Sequence, residues 1–120
     1  MFYKAFYTNW FIPKGYDGIT LGCFIFLRPE TKSIPYILAH ECTHVAQFWN
    51  NPFMPIWYLL NKKYRLKCEA EAYQVGLTHS KNPDDLQTFV TWLSTDYSLD
   101  ITPDQAKLAI QNAKPPKFTM

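Results

Sequence analysis

The stretch YILAHECTHVAQF, residues 36–48, sets His40, Glu41 and His44 inside an otherwise apolar run. An α-helix turns ~100° per residue, so His40 and His44 lie ~40° apart on one face and one turn apart in height. Both imidazoles can then reach a single metal ion. Glu41 is offset by ~100°, beside the pair, where it meets a water on the ion rather than the ion itself. Cys42 falls on the far side with Val45 and Trp49, and reads as core. Chance supplies only about 0.002 occurrences of His-Glu-x-x-His in a chain of this composition, so a ligand pair outweighs two unrelated core histidines.

Working outward, the helix that carries the motif is expected to start near Ser33, an N-cap residue with Pro35 in the first turn. It should stop near Asn50, before Asn51-Pro52. Upstream, ITLGCFIFL (19–27) is rich in β-branched and aromatic residues and reads as a strand that Arg28-Pro29 ends. FYKAF and TNWFI are candidates for short strands, and Asp17-Gly18 marks a turn. Downstream, Pro55 opens a helical stretch, and a further helix, continuous with it or not, covers YRLKCEAEAYQVGL. Asn82-Pro83-Asp84-Asp85 starts another, with Leu86, Phe89, Val90 and Leu93 on one stripe. Thr102-Pro103-Asp104 caps a last helix to about Asn112. The expected class is α+β, with a small amino-terminal sheet followed by four or five helices, in one domain over residues 1–120 with 113–120 as a tail.

The chain has 120 residues, is 48% hydrophobic and 18% aromatic, and carries a formal net charge of +2. That excludes a disordered chain. Lys62, Lys63, Arg65 and Lys67 form the densest basic cluster, which reads as a solvated face, so no nucleic-acid partner is expected. No segment approaches the ~20 apolar residues of a membrane span, and the first residues lack the pattern of a signal peptide. The expectation is a soluble cytoplasmic protein without a membrane partner. Cys23, Cys42 and Cys68, an odd set at wide spacing, are expected as free thiols.

A catalytic zinc site needs a third protein ligand, with the fourth position left for water. His79, in LTHSKN, reads as a helix-end residue that meets free carbonyls. The glutamates of CEAEAY, Glu69 and Glu71, are better placed. Two residues apart on a helix they point ~160° from each other, so one of them can be a ligand and not both. Cys68 beside them is a weak third option. Gln47 lies ~20° from His40 around the helix and shares its face. Tyr36, one turn before His40, and Tyr73, one turn after Glu69, could each donate to a developing oxyanion. Buried aromatics with satisfied hydroxyls are the plainer reading of both.

GITLGCFIFLRPE, LAHECTHVAQF and YRLKCEAEAY together resemble small bacterial and phage zincin-like domains of the gluzincin type, in which HExxH is followed by a glutamate on a later helix. The likeness spans residues 19–76. Where related groups have E-x-x-A-D, Glu69, Ala72 and Tyr73 stand at the matching positions, the last a tyrosine. The resemblance implies one Zn2+ held by His40, His44 and Glu69, with Glu71 as the fallback ligand. It also implies zinc-dependent peptide-bond hydrolysis by a metal-activated water, with Glu41 as general base and a peptide or protein as substrate. The strand over 19–27 would then form the upper rim of the cleft. The alternative is a catalytically silent zinc-binding domain with a structural or interaction role, as in phage assembly or host interaction. Minimal gluzincin-like peptidases lay their own carboxy-terminal segment in the cleft, which here would make AKPPKFTM a route to self-association; a free tail is the simpler expectation.

Overall fold

The structure is a computed structural model that describes residues 1–120. Three strands, β1 (Lys4–Tyr7), β2 (Gly18–Leu21) and β3 (Phe24–Leu27), precede five helices: α1 (Pro35–Asn50), α2 (Met54–Leu60), α3 (Lys62–Thr78), α4 (Asp85–Thr95) and α5 (Pro103–Asn112). The α+β class, with a small amino-terminal sheet and helices after it, is as the sequence leads one to expect. No helix is long and apolar enough to cross a membrane.

The strand expected over 19–27 is two strands. β2 and β3 pair antiparallel, Gly18 opposite Leu27 and Leu21 opposite Phe24, around a turn at Gly22-Cys23. Gly22 has φ 63°, a left-handed conformation that glycine adopts at no steric cost and that a two-residue hairpin turn demands at its first central position. β1 pairs parallel with β3, so the order is β1-β3-β2 and β2 is an edge. FYKAF supplies β1, whereas TNWFI forms no strand, and Phe11 within it sits at φ 67°. Arg28 holds this irregular stretch: its guanidinium donates to the carbonyls of Tyr16, Ile12 and Pro13 and to Asn9 Oδ1.

The motif helix begins at Pro35 with Ile34 as its cap residue, because Ser33 is taken into a short 3-10 helix over Pro29–Ser33. α2 and α3 are separate helices. Asn61 breaks them, and its side chain accepts from the Tyr64 amide to cap α3. Thr102 and Gln105 form the reciprocal capping box of α5, which satisfies two otherwise orphaned amides.

Two hydrophobic clusters result. Ile25 and Leu27 on the inner face of the sheet pack with Ile37, Cys42 and Val45 of α1. Ala70 and Tyr73 of α3 pack with Phe89, Val90 and Leu93 of α4, Leu99, and Ala106 and Ile110 of α5. Cys42 is core, as its position on the helix predicts, and all three cysteines are free thiols. The tail is held at both ends of its length: Ala113 packs on the α3–α5 cluster and its carbonyl accepts from Gln74 Nε2, and Phe118 packs against the cluster between sheet and α1. None of residues 113–120 lines the cleft described below.

Candidate metal centre

α1 and α3 pack side by side, and their facing stripes are polar. From α1 come His40, His44 and Gln47; from α3 come Glu69 and Glu71, both buried. His40 Nε2 lies 3.0 Å and His44 Nε2 3.2 Å from the same oxygen, Glu69 Oε1. One donor atom from each of the three residues falls within 4.8 Å of the other two. Bonds of ~2.05 Å to a tetrahedral ion place neighbouring donors about 3.3 Å apart, so this set fits one metal ion with little movement. His40, His44 and Glu69 can therefore hold a metal ion, and of the two glutamates the sequence offered, Glu69 is the one in the group.

The residues around the group fix its chemistry. Gln47 Nε2 donates to the Cys68 carbonyl at 2.9 Å and to Glu71 Oε1 at 3.0 Å. Both partners are pure acceptors, so Gln47 Oε1 must face His44 Nδ1, 2.8 Å away, and Nδ1 must carry a proton. That leaves Nε2 of the neutral ring as the lone pair aimed at Glu69. A bare lone pair cannot face a carboxylate oxygen favourably, and a positive charge has to lie between them. In the metal-free chain that charge is a proton. Burial by itself would lower the His44 pKa, but the Glu69 carboxylate overrides it, and the value is raised to about 9. Burial would likewise raise the Glu69 pKa, yet the charge on His44 and hydrogen bonds from both imidazoles hold it well below the ordinary carboxylate range.

Glu71 is not in the ligand group. Its Oε1 accepts from Gln47, and its Oε2 pairs with Lys67 Nζ at 2.8 Å. It orients His44 through Gln47, as hydrogen-bonded partners behind metal ligands commonly do. Cys68 contributes its carbonyl, while burial pushes its thiol up to about 12. Tyr58 of α2 donates to Glu69 Oε2, so that oxygen is engaged and Oε1 is the ligand atom. Nothing in the sequence singles out Tyr58 among eight tyrosines.

Glu41 is buried next to the ligands, and its Oε1 accepts from Thr20 Oγ1 of β2 at 3.0 Å. It lines a cleft of about 480 Å³ together with His40, His44 and Glu69. β2 forms one wall of this cleft, and Met54, Pro55, Tyr58 and Leu59 of α2 form the other. A smaller cavity of about 120 Å³ continues on the far side of His40 and Glu41, walled by Tyr36, Tyr73 and Trp92. Tyr73 packs its ring edge-on to His40 at 4.4 Å and shares a 2.7 Å hydrogen bond with the Tyr97 hydroxyl. Tyr36 packs against Phe89. Tyr97, which the sequence did not single out, lines both spaces. His79 stays apart from the site as the C-cap of α3, with Nδ1 near the Val75 carbonyl. Comparison with protein-family models, with curated proteins and with solved structures finds no match for this chain.

Proposed function

We propose that this chain is a zinc-dependent peptidase. The observation that carries the reading is the convergence of His40 and His44 on Glu69 at the floor of a cleft, with Glu41 at their side and an unpaired strand edge along the wall. Two imidazoles and a carboxylate are the donor set of hydrolytic zinc, which when bound supplies a Lewis acid and lowers the pKa of water.

The rest falls to the chain's own residues. β2 presents free main-chain groups at the sheet edge, where an extended peptide pairs as an added strand. Ile19 and Leu21 of β2 and Phe48, Met54 and Leu59 opposite give the cleft an apolar lining, which accepts a large apolar side chain of the substrate. Glu41, steadied through Oε1 by Thr20, takes the proton of the attacking water at Oε2 and passes it to the leaving amine. Of the three tyrosines that line the cleft, Tyr16 donates to the Asp96 carbonyl and Tyr58 to Glu69, which leaves Tyr97, hydrogen-bonded only to the Tyr73 hydroxyl, as the phenol that can donate to a developing oxyanion.

Glu41→Gln is the test, with a broad peptide library as substrate. Zinc content and thermal stability should match the wild type while hydrolysis falls by about 100-fold or more, on the order expected for loss of a general base. If the wild type takes up zinc stoichiometrically and cleaves nothing in the library, the silent zinc domain replaces the peptidase.

A further inference from the structure

α2 is a seven-residue helix with two apolar faces. Met54, Pro55, Tyr58 and Leu59 line the cleft. At ~100° per residue, Phe53, Ile56, Trp57 and Leu60 fall within ~100° of one another on a different side. Each of those four is more than half exposed, and so is Leu59 at the edge. Soluble chains scatter single apolar residues over the surface; five large exposed ones within eight positions of one element form a patch that asks for a partner.

The neighbouring charges point to which partner. Between Glu41 and Glu69 the sequence has no acidic residue, while Lys62, Lys63, Arg65 and Lys67 follow directly on α2. Arg65 is turned inward to the carbonyls of Tyr58, Leu59 and Tyr97. Lys62 pairs with the exposed Asp100, and Lys67 with Glu71. Lys63 makes no ion pair, and the Lys62–Asp100 pair is solvated on both sides and open to exchange. An apolar stripe with Trp and Phe at its surface and lysines at one end has the chemistry of a helix lying in the headgroup region of an anionic bilayer. A second copy of the chain is the poorer fit. Five such side chains offer on the order of 500 Å², short of the ~800 Å² per partner of a standard interface.

We infer that the outer face of α2 docks this protein onto an anionic lipid surface, without spanning it. The inference does not depend on the metal site, and it revises the expectation that the protein has no membrane partner. Because a helix is only ~10 Å across, docking sets the cleft beside the headgroups, where interfacial peptide segments are within reach.

The full-length chain is to be mixed with vesicles of phosphatidylcholine alone, or of phosphatidylcholine with about 30% phosphatidylglycerol, since attraction of lysines to a bilayer needs anionic headgroups. Wild type should sediment with the anionic vesicles, less so as salt is raised, and brominated lipid should quench its tryptophan emission. Ile56→Asp and Leu60→Asp, both at exposed positions, should weaken binding about ten-fold or more with unchanged circular dichroism and melting. Trp57→Phe should still bind but lose most of the quenching, which separates Trp57 from Trp10, Trp49 and Trp92. Absence of sedimentation by wild type overturns the inference. So does binding that survives the α2 substitutions but is lost in Phe24→Ser on the outer face of the sheet. A concentration-dependent dimer that Ile56→Asp abolishes, in a protein indifferent to vesicles, assigns the face to a second copy and overturns it as well.

Discussion

Gln47 decides which nitrogen of His44 is left free for a metal ion, because its amide is pinned by two acceptors on α3. Gln47→Leu removes the acceptor for Nδ1–H and frees Glu71. Zinc affinity should fall roughly 10- to 100-fold, the usual range for such partners, and the downfield Nδ1 proton of His44 should vanish from the NMR spectrum. A variant with unchanged affinity would show that the ring needs no support. A second expectation concerns pH. In the metal-free chain His44 keeps its proton up to about pH 9, whereas a metal ligand must be neutral. Apparent zinc affinity should therefore strengthen as pH rises from 6.5 through about 9 and then level off, which calorimetry in buffers of different ionisation heat can follow. For the stability of the metal-free fold the sign is opposite. The folded pKa lies above the ordinary 6.5, so the stabilising pair with Glu69 is complete below about 6.5 and is lost as pH climbs through 9. A flat affinity profile would contradict both. At this scale the sequence is most informative where partners are close along the chain. His40, Glu41, His44 and Gln47 share one helix, and helical spacing alone places them. Thr20, Tyr58 and Tyr97 reach the site from three other segments, and no local pattern marks such contacts.

All five helices are legible as elements because each carries stop or start chemistry, Pro55 in the case of the short α2. The β2–β3 hairpin is not, since ITLGCFIFL is apolar nearly throughout and one glycine is its sole punctuation. Gly22→Ala tests that glycine. A Cβ there would meet the Phe48 ring at 3.5 Å, an ordinary contact, so the cost comes from φ and should be about 1–2 kcal/mol in urea unfolding. Gly18→Ala should cost more, because its Cβ would lie 2.6 Å from Leu27 Cδ2 and 2.9 Å from the Phe26 carbonyl oxygen. If the order of the two is reversed, backbone conformation outweighs the close packing of β2 on β3. α2 is short and has no side-chain cap. That absence is at its start; at its other end Arg65 of α3 donates to the carbonyls of Tyr58 and Leu59, a contact that spacing along a broken helix does not reveal.

On the scale of the molecule, His40, His44 and Glu69 join α1, which packs on the sheet, to α3, which packs on α4 and α5. An ion at the site ties one hydrophobic cluster to the other. With zinc at about 100 times its dissociation constant the folded state gains about 2.7 kcal/mol, so a chelator should lower the melting temperature by several degrees. His44→Ala should make the protein insensitive to the chelator; an equal response in that variant would place the metal elsewhere. The sequence conveyed the α+β class and the order of elements, but not the division into two clusters. That division depends on which apolar stripe meets which, a matter of long-range packing.

Phe118 has a consequence for how the chain can be cut and joined. It packs on the cluster that also takes Tyr3, on the side of α1 turned away from the ligands. Residues 3 and 118 thus pack on one cluster, and a flexible Gly/Ser linker can join residues 1 and 120 at an entropic cost that grows only slowly with its length. The exposed connection over 81–84, between α3 and α4, is then free to serve as a new opening. A permuted chain that begins at Pro83, runs through the linked ends and finishes at Asn82 keeps His40, Glu41, His44 and Glu69 on one uninterrupted segment. It should fold, and its metal affinity should equal that of the unpermuted chain.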